Sequence, residues 1–372
     1  MLSFFFNILI SVFFIYITLI FNRYFFKINN KLFILALLYH FCLTFFYIYF
    51  LKVGDWETYL NLEGLHEYKG VIKSLISSNI VYSIISILNK INITNFNIIL
   101  FFSLISFYGI VIFVINLMKI GLEKKFSYLL LFIPGIHFWT SVPGKDGLIL
   151  FFLSCFFYMY INKKIFFSIL FILIVALIRP HIGLIFLLSV LITEFLTIKP
   201  REIKFLILLF SLISVYFFIN NEYVGGYFII DNNVSQNFLI KLLNTLHNIA
   251  QKYTLSGSHY ESSNLFINIF NYILFPFEFI AKKNSLIINL SIMIEIFTLI
   301  LLSVSILNNK KKIIIDKKIV YFLFICVFIY LMIMPQVFFN FGLNTRQKWM
   351  IVPFLIYFVF LLKNLLNGVK KI

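Results

Sequence analysis

Two short polar stretches set between strongly apolar runs carry the residues best suited to chemistry. They are His137-Phe138-Trp139-Thr140-Ser141-Val142-Pro143-Gly144-Lys145-Asp146 and Arg179-Pro180-His181. A guanidinium offers paired donors that match a phosphate, and it keeps its charge when water is removed, so Arg179 points to anion binding. The chain has just four arginines, Arg23, Arg179, Arg201 and Arg346, so each position counts. Lys145 adds a cation in the first stretch, and Asp146 adds a carboxylate able to take a proton or to neutralise its neighbour. Arg346 and Lys348 repeat the cationic theme within Asn344-Thr345-Arg346-Gln347-Lys348. Asp55 and Glu57, two apart in Gly54-Asp55-Trp56-Glu57, suit a general base for a hydroxyl or ligation of a metal through oxygen.

Plainer roles compete at every one of these positions. A Pro-Gly-Lys-Asp-Gly turn serves any tight helical hairpin. An acidic outer loop obeys topology without doing chemistry. His137 and His181 suit hydrogen-bonded packing as well as binding, and mid-span His40 reads as structural. Trp56, Trp139 and Trp349 fit interfacial anchoring, with stacking on a sugar face as the functional alternative for Trp139.

The elements that must position these residues are membrane helices. Hydrophobic residues make up 62% of the 372 positions and charged ones 12%, whereas soluble domains are nearer ~45–50% apolar. The net charge of +17 comes from Lys and Arg that punctuate apolar segments. Nucleic-acid binding calls instead for a basic patch on a soluble surface, so no nucleic-acid partner is expected. Cys42, Cys155 and Cys326 lie inside apolar runs without ligand spacing, and neither a metal site nor a cofactor is expected from them. The surplus of Lys and Asn resembles compositional drift, and single residues of either type carry little weight.

Taken in order, spans are expected at 1–21, 32–51 and 96–118. Two compact hairpins follow, turning at Trp139–Asp146 and at Arg179–His181, and four further spans are expected at 205–220, 285–307, 319–338 and 349–362. An acidic first outer loop covers 52–95, and a large outer loop with an interfacial segment covers 221–284. Summed over alternate loops, Lys and Arg number 19 on one side and 12 on the other, while carboxylates run 3 against 9. The positive-inside rule then places the amino terminus outside and the carboxyl terminus in the cytoplasm. The expected fold is all-α: a single polytopic helical bundle over 1–372 with about eleven transmembrane helices.

The hairpin turns should be recessed. Residues 165–178 number 14, and at ~1.5 Å each they cover roughly 21 Å of a hydrocarbon layer about 30 Å thick. Charges at that depth are costly unless they pair or line a wet cavity, which makes Arg179, His181, Lys145 and Asp146 functional candidates. Glu194 and Glu295 fall within apolar segments.

Several of these residues together resemble a family. They are Asp55 to Tyr59 after the second span, Pro134-Gly135 with Phe138-Trp139 and Ser141, Gly144-Lys145-Asp146, Arg179-Pro180, a long outer loop, and Asn344 to Lys348 before the last span. In this layout the chain resembles Wzy-type O-antigen or capsular polysaccharide polymerases, multispan (GT-C-like) membrane glycosyltransferases of bacterial polysaccharide clusters. The resemblance implies an inner-membrane enzyme joining repeat units carried on undecaprenyl diphosphate at the periplasmic face, with a chain-length regulator as a further partner. Outer-loop arginines handle the donor in such enzymes, and Arg179 and Arg346 fit that role here. The large loop 221–284 departs from the pattern, since it holds no arginine. Two rival readings stay open. One is a transferase adding a single sugar from a polyprenyl-phosphate donor, with Asp55 and Glu57 at its centre. The other is a lipid-linked oligosaccharide flippase, which the shortage of mid-span cations disfavours.

Overall fold

The computed structural model describes residues 2–51, 56–61, 78–198, 316–337 and 341–366, with a few single positions between them. Among the described residues the chain is helical and no strand forms. Five helices among the described residues are long and apolar enough to cross a membrane, and a sixth crossing arises if one sharply bent pair counts as a single span. This is the make-up of a multi-pass membrane protein. The expected span at 205–220, almost all of the span at 285–307 and of the loop at 221–284, Asp55 and Glu295 lie outside the described residues.

The chain divides into two compact units. The first comprises residues 1–179 with 297–311, and the second 180–296 with 312–372. In the first, α1 (Leu2–Phe21), α2 (Asn30–Phe46), α5 (Asn95–Ile120), α8 (Lys145–Ile161) and α9 (Ile165–Ile178) are the long elements. Between them stand α3 (Trp56–Leu60), α4 (Ser78–Lys90), α6 (Lys124–Ser127) and α7 (Pro134–Thr140). The second unit holds α10 (Pro180–Thr197), α11 (Lys317–Val337) and α12 (Phe341–Leu366).

Helix α5 is the axis of the first unit. Phe107, Ile110, Val111, Val114 and Leu117 on it are fully buried. Lipid tails are as apolar as these side chains, so close backbone approach and polar links must hold the helices together. Gly109 supplies the approach: a Cβ there would sit 2.9 Å from both N and Cα of Phe151 on α8. Asn116 Nδ2 donates to the Ser154 carbonyl at 2.9 Å, a second α5–α8 tie. Toward α1, Asn97 Nδ2 donates to the Asn7 carbonyl at 2.9 Å, and Ser11 Oγ donates to Asn97 Oδ1 at 2.6 Å. The asparagines dismissed as compositional drift are therefore buried interhelical fasteners at 97 and 116. Helix α5 stops at Gly121, whose φ of 105° suits glycine. There the Leu122 amide closes back on the Leu117 carbonyl at 3.0 Å, a Schellman ending.

Two expectations change. The outgoing arm of the first hairpin, expected as one helix from 126, is broken into α6, a 3-10 turn over Tyr128–Phe132, and α7. Pro134 lacks an amide hydrogen and forces Ile133 into an extended conformation (ψ 113°), so a new helix has to start there. Helices α7 and α8 then meet at 119°, a broken span or a re-entrant loop. At the other end of the chain, Arg346, Gln347 and Lys348 lie inside α12 rather than in a loop before it, because that helix starts at Phe341. The expected arm over 165–178 coincides with α9.

Within the second unit, Lys318 Nζ meets Glu194 Oε1 at 2.6 Å, joining α11 to α10. Glu194, expected as an isolated acid in an apolar segment, is thus half of an ion pair. Phe186 stacks edge-on against Phe354 of α12, with ring centroids 4.8 Å apart.

Substituting Gly109 by alanine should wedge α5 from α8 at a place where only backbone could yield. A loss of about 1–3 kcal/mol is expected, the usual scale for overpacking. Thermal unfolding of the purified protein in detergent reads it, and an unchanged midpoint would remove the close-approach argument.

Candidate functional site

The site candidates of the first unit gather around the bend between α7 and α8. Pro143 and Gly144 interrupt the helix, and α8 starts afresh at Lys145 with Asp146 in its first turn. Unpaired amides at a helix start favour a negative charge, so Asp146 sits where its carboxylate is welcome. Gly147 locks this turn in place. A Cβ there would overlap the Thr140 carbonyl oxygen and crowd Ser106 at 3.0 Å, so α8 begins hard against the end of α7 and against α5.

Arg179 arrives from the other side. It is the residue after α9, extended (φ −138°, ψ 94°) because a proline follows, with its amide hydrogen-bonded to the Val175 carbonyl at 2.7 Å. Its Nη2 lies 2.6 Å from Asp146 Oδ1, with the two side chains only 9% and 12% exposed. This is an ion pair by distance, and Oδ1 makes no aligned hydrogen bond. The other amino group, Nη1, is buried with no hydrogen-bond partner among the described residues. One amino group of a buried guanidinium is thus neutralised, and the other is covered with its hydrogen-bonding capacity unused.

Around the pair stand Lys145, whose Nζ donates to Ser78 Oγ at 3.3 Å, and α3. Tyr59 of α3 packs against Tyr82 with the rings tilted and their centroids 4.9 Å apart, and its ring would lie 4.0 Å from a methyl placed on Gly144. Glu57 is on the same short helix and is exposed. Trp139 and Phe138 lie against Tyr47, at 6.1 and 4.7 Å between ring centroids.

His137 faces elsewhere. It is fully buried, with Nδ1 2.8 Å from Nδ1 of His40 and Nε2 donating to the Leu131 carbonyl at 2.8 Å. His40 Nε2 in turn stands 2.9 Å from the Ser103 carbonyl and 3.2 Å from Ser106 Oγ. A short hydrogen-bonded network thus ties α7 to α2 and α5, and the histidines fix the bend from behind. Sequence reading missed this pairing. The available signal was His40 itself, a polar ring in mid-span with no local partner.

His181, Arg346 and Lys348 belong to the second unit. His181 is half-buried in the first turn of α10. Arg346 is half-buried on α12, and Lys348 is 2% exposed, with Nζ 5.6 Å from the Trp349 ring centroid. Tyr330 of α11 donates to the Gln347 carbonyl at 3.0 Å beside them. Among the described residues no group of three or more His, Cys, Asp or Glu side chains could hold a metal.

Breaking the Arg179–Asp146 pair from one side should cost more than removing both partners. Asp146→Leu alone strands a buried cation and is expected to destabilise by about 3–5 kcal/mol, with Arg179→Met added to it recovering most of the loss. Unfolding midpoints of the three proteins check this, and additive losses would overturn the pairing. No family model matches the chain, and neither a curated protein nor a solved structure shows significant similarity to it.

Proposed function

We propose that this chain is a polysaccharide polymerase that transfers oligosaccharide repeat units between undecaprenyl-diphosphate carriers. It would act at the periplasmic face of a bacterial inner membrane, through a bundle of about eleven spans with the amino end outside. The observation that carries this reading is Arg179, a guanidinium nine-tenths buried whose Nη1 has no hydrogen-bond partner, paired with Asp146, the residue next to Lys145. Such a group gains most from a ligand with phosphate oxygens, which accept charge-assisted hydrogen bonds from it.

In the transfer, a hydroxyl of one lipid-linked oligosaccharide attacks the anomeric carbon of another. The new glycosidic bond forms as the anomeric bond to the diphosphate breaks, and the electron pair leaves with the diphosphate oxygen. Arg179, together with Lys145 next to its partner Asp146 in the chain, stabilises that developing charge where water is scarce and electrostatic stabilisation is strongest. The acceptor proton passes to a carboxylate of the acidic stretch, Asp55 or Glu57. Glu57 supports this by its place on α3, the helix whose Tyr59 borders Gly144. Asp146, a third candidate base by type, is engaged with Arg179.

Arg179→Ala should abolish long-chain polymer while single repeat units remain on lipid. Arg346→Ala tests the guanidinium of the second unit separately, with the same shortening expected. Glycan analysis of cells carrying each variant reads the outcome. Normal chain lengths with Arg179→Ala sink the assignment, a missing sugar branch marks a single-sugar transferase, and accumulated precursor on the cytoplasmic leaflet marks a flippase.

A further inference from the structure

Resting on the reading of Arg179 as a diphosphate ligand, we infer that Asp146 is a positioning residue, which holds the guanidinium so that Nη1 is offered to a phosphoryl oxygen. A carboxylate beside a phosphate-binding arginine would ordinarily be counted as a competitor, since it repels the ligand and occupies the cation. Four features of this pair favour the opposite role.

First, the contact uses only Nη2, at 2.6 Å, and leaves Nη1 buried without a hydrogen-bond partner, so the carboxylate does not saturate the guanidinium. Second, both partners hang from fixed backbone. Arg179 is held by the hydrogen bond its backbone N–H donates to the Val175 carbonyl and by the following proline, and Asp146 by a turn that Gly147 presses against the Thr140 carbonyl. Third, Asp146 lies in the first turn of a 17-residue helix, where the free amides favour its charge, so it has no reason to leave when a ligand comes. Fourth, a lone arginine in apolar surroundings turns its head toward water along its flexible stem, and a nearby anion prevents that. The pairing thus keeps the cation in place and neutralised before a ligand arrives, with Nη1 as the amino group not engaged by the carboxylate.

The two roles predict opposite signs. The full chain in lipid nanodiscs would be titrated with geranylgeranyl diphosphate and, separately, with geranylgeranyl monophosphate. If Asp146 positions Arg179, Asp146→Asn weakens diphosphate binding by about tenfold or more, the scale of one charge-assisted hydrogen bond. It also flattens the preference for diphosphate over monophosphate, which a general loss of folded protein would leave unchanged. Asp146→Glu, which keeps the charge on a longer arm, should restore part of that preference. Unchanged or tighter diphosphate binding by Asp146→Asn, with binding still lost in Arg179→Ala, overturns the positioning role alone. If the unaltered protein fails to bind the diphosphate, or Arg179→Ala binds it as well as the unaltered protein does, this inference and the diphosphate reading fall together.

Discussion

A guanidinium that water barely reaches must be neutralised by something in the protein, and that requirement shapes the first unit around Arg179. Removing a charge from water costs several kcal/mol even after relaxation, and an opposed charge in good position offsets much of it. Asp146 is that charge, 2.6 Å away. It is placed by the start of α8, and Arg179 by the end of α9, so the two helices have to terminate at the same place. Pro143 and Gly144 before α8 and Pro180 after α9 are the residues that bring this about. The pair unites two turns that stand 33 positions apart in the chain.

What keeps the bend between α7 and α8 from relaxing lies behind it. Helix α7 has only seven residues, too few to hold an orientation by its own hydrogen bonds. The His40–His137 contact and the Leu131 carbonyl secure it from one side, and the Gly147–Thr140 approach secures it from the other. The close α5–α8 seam at Gly109 extends that stiffness along the bundle. A site made of turns thereby gains the precision of one built on long helices, and electrostatic preorganisation depends on such precision.

Polar residues in both units follow one rule. Asn97, Asn116, Glu194 and Lys318 each find a partner on a different helix, since an unpaired polar group in a bundle surrounded by lipid is expensive. Nη1 of Arg179 is covered without such a partner, as are Oε1 of Gln347 and Nε1 of Trp349 on α12. Trp56 Nε1 and Asn116 Oδ1 are likewise buried without a hydrogen-bond partner, so an unsatisfied atom becomes informative here only where, as at Arg179, it belongs to a charged group.

The sequence by itself determined the class of the protein and the extents of several helices. Apolar runs of membrane length and charges clustered between them are local, additive features, and α9 over 165–178 matches the run that announced it. The hairpin turns were legible as unusual because charge and proline interrupt apolar sequence, and Arg179 stood out because arginine is scarce. Only the tertiary structure decided partnership. That Asp146 answers Arg179, that His40 answers His137, and that Asn97 fastens α1 to α5 depend on which helices adjoin, and period and composition do not encode adjacency. The broken arm at α6 and α7 escaped for a related reason, since its residues are as apolar as a span and only Pro134, acting on the backbone of Ile133, divides them. A side chain's type sets what it can bond to, and the packing of distant segments sets which bond it makes.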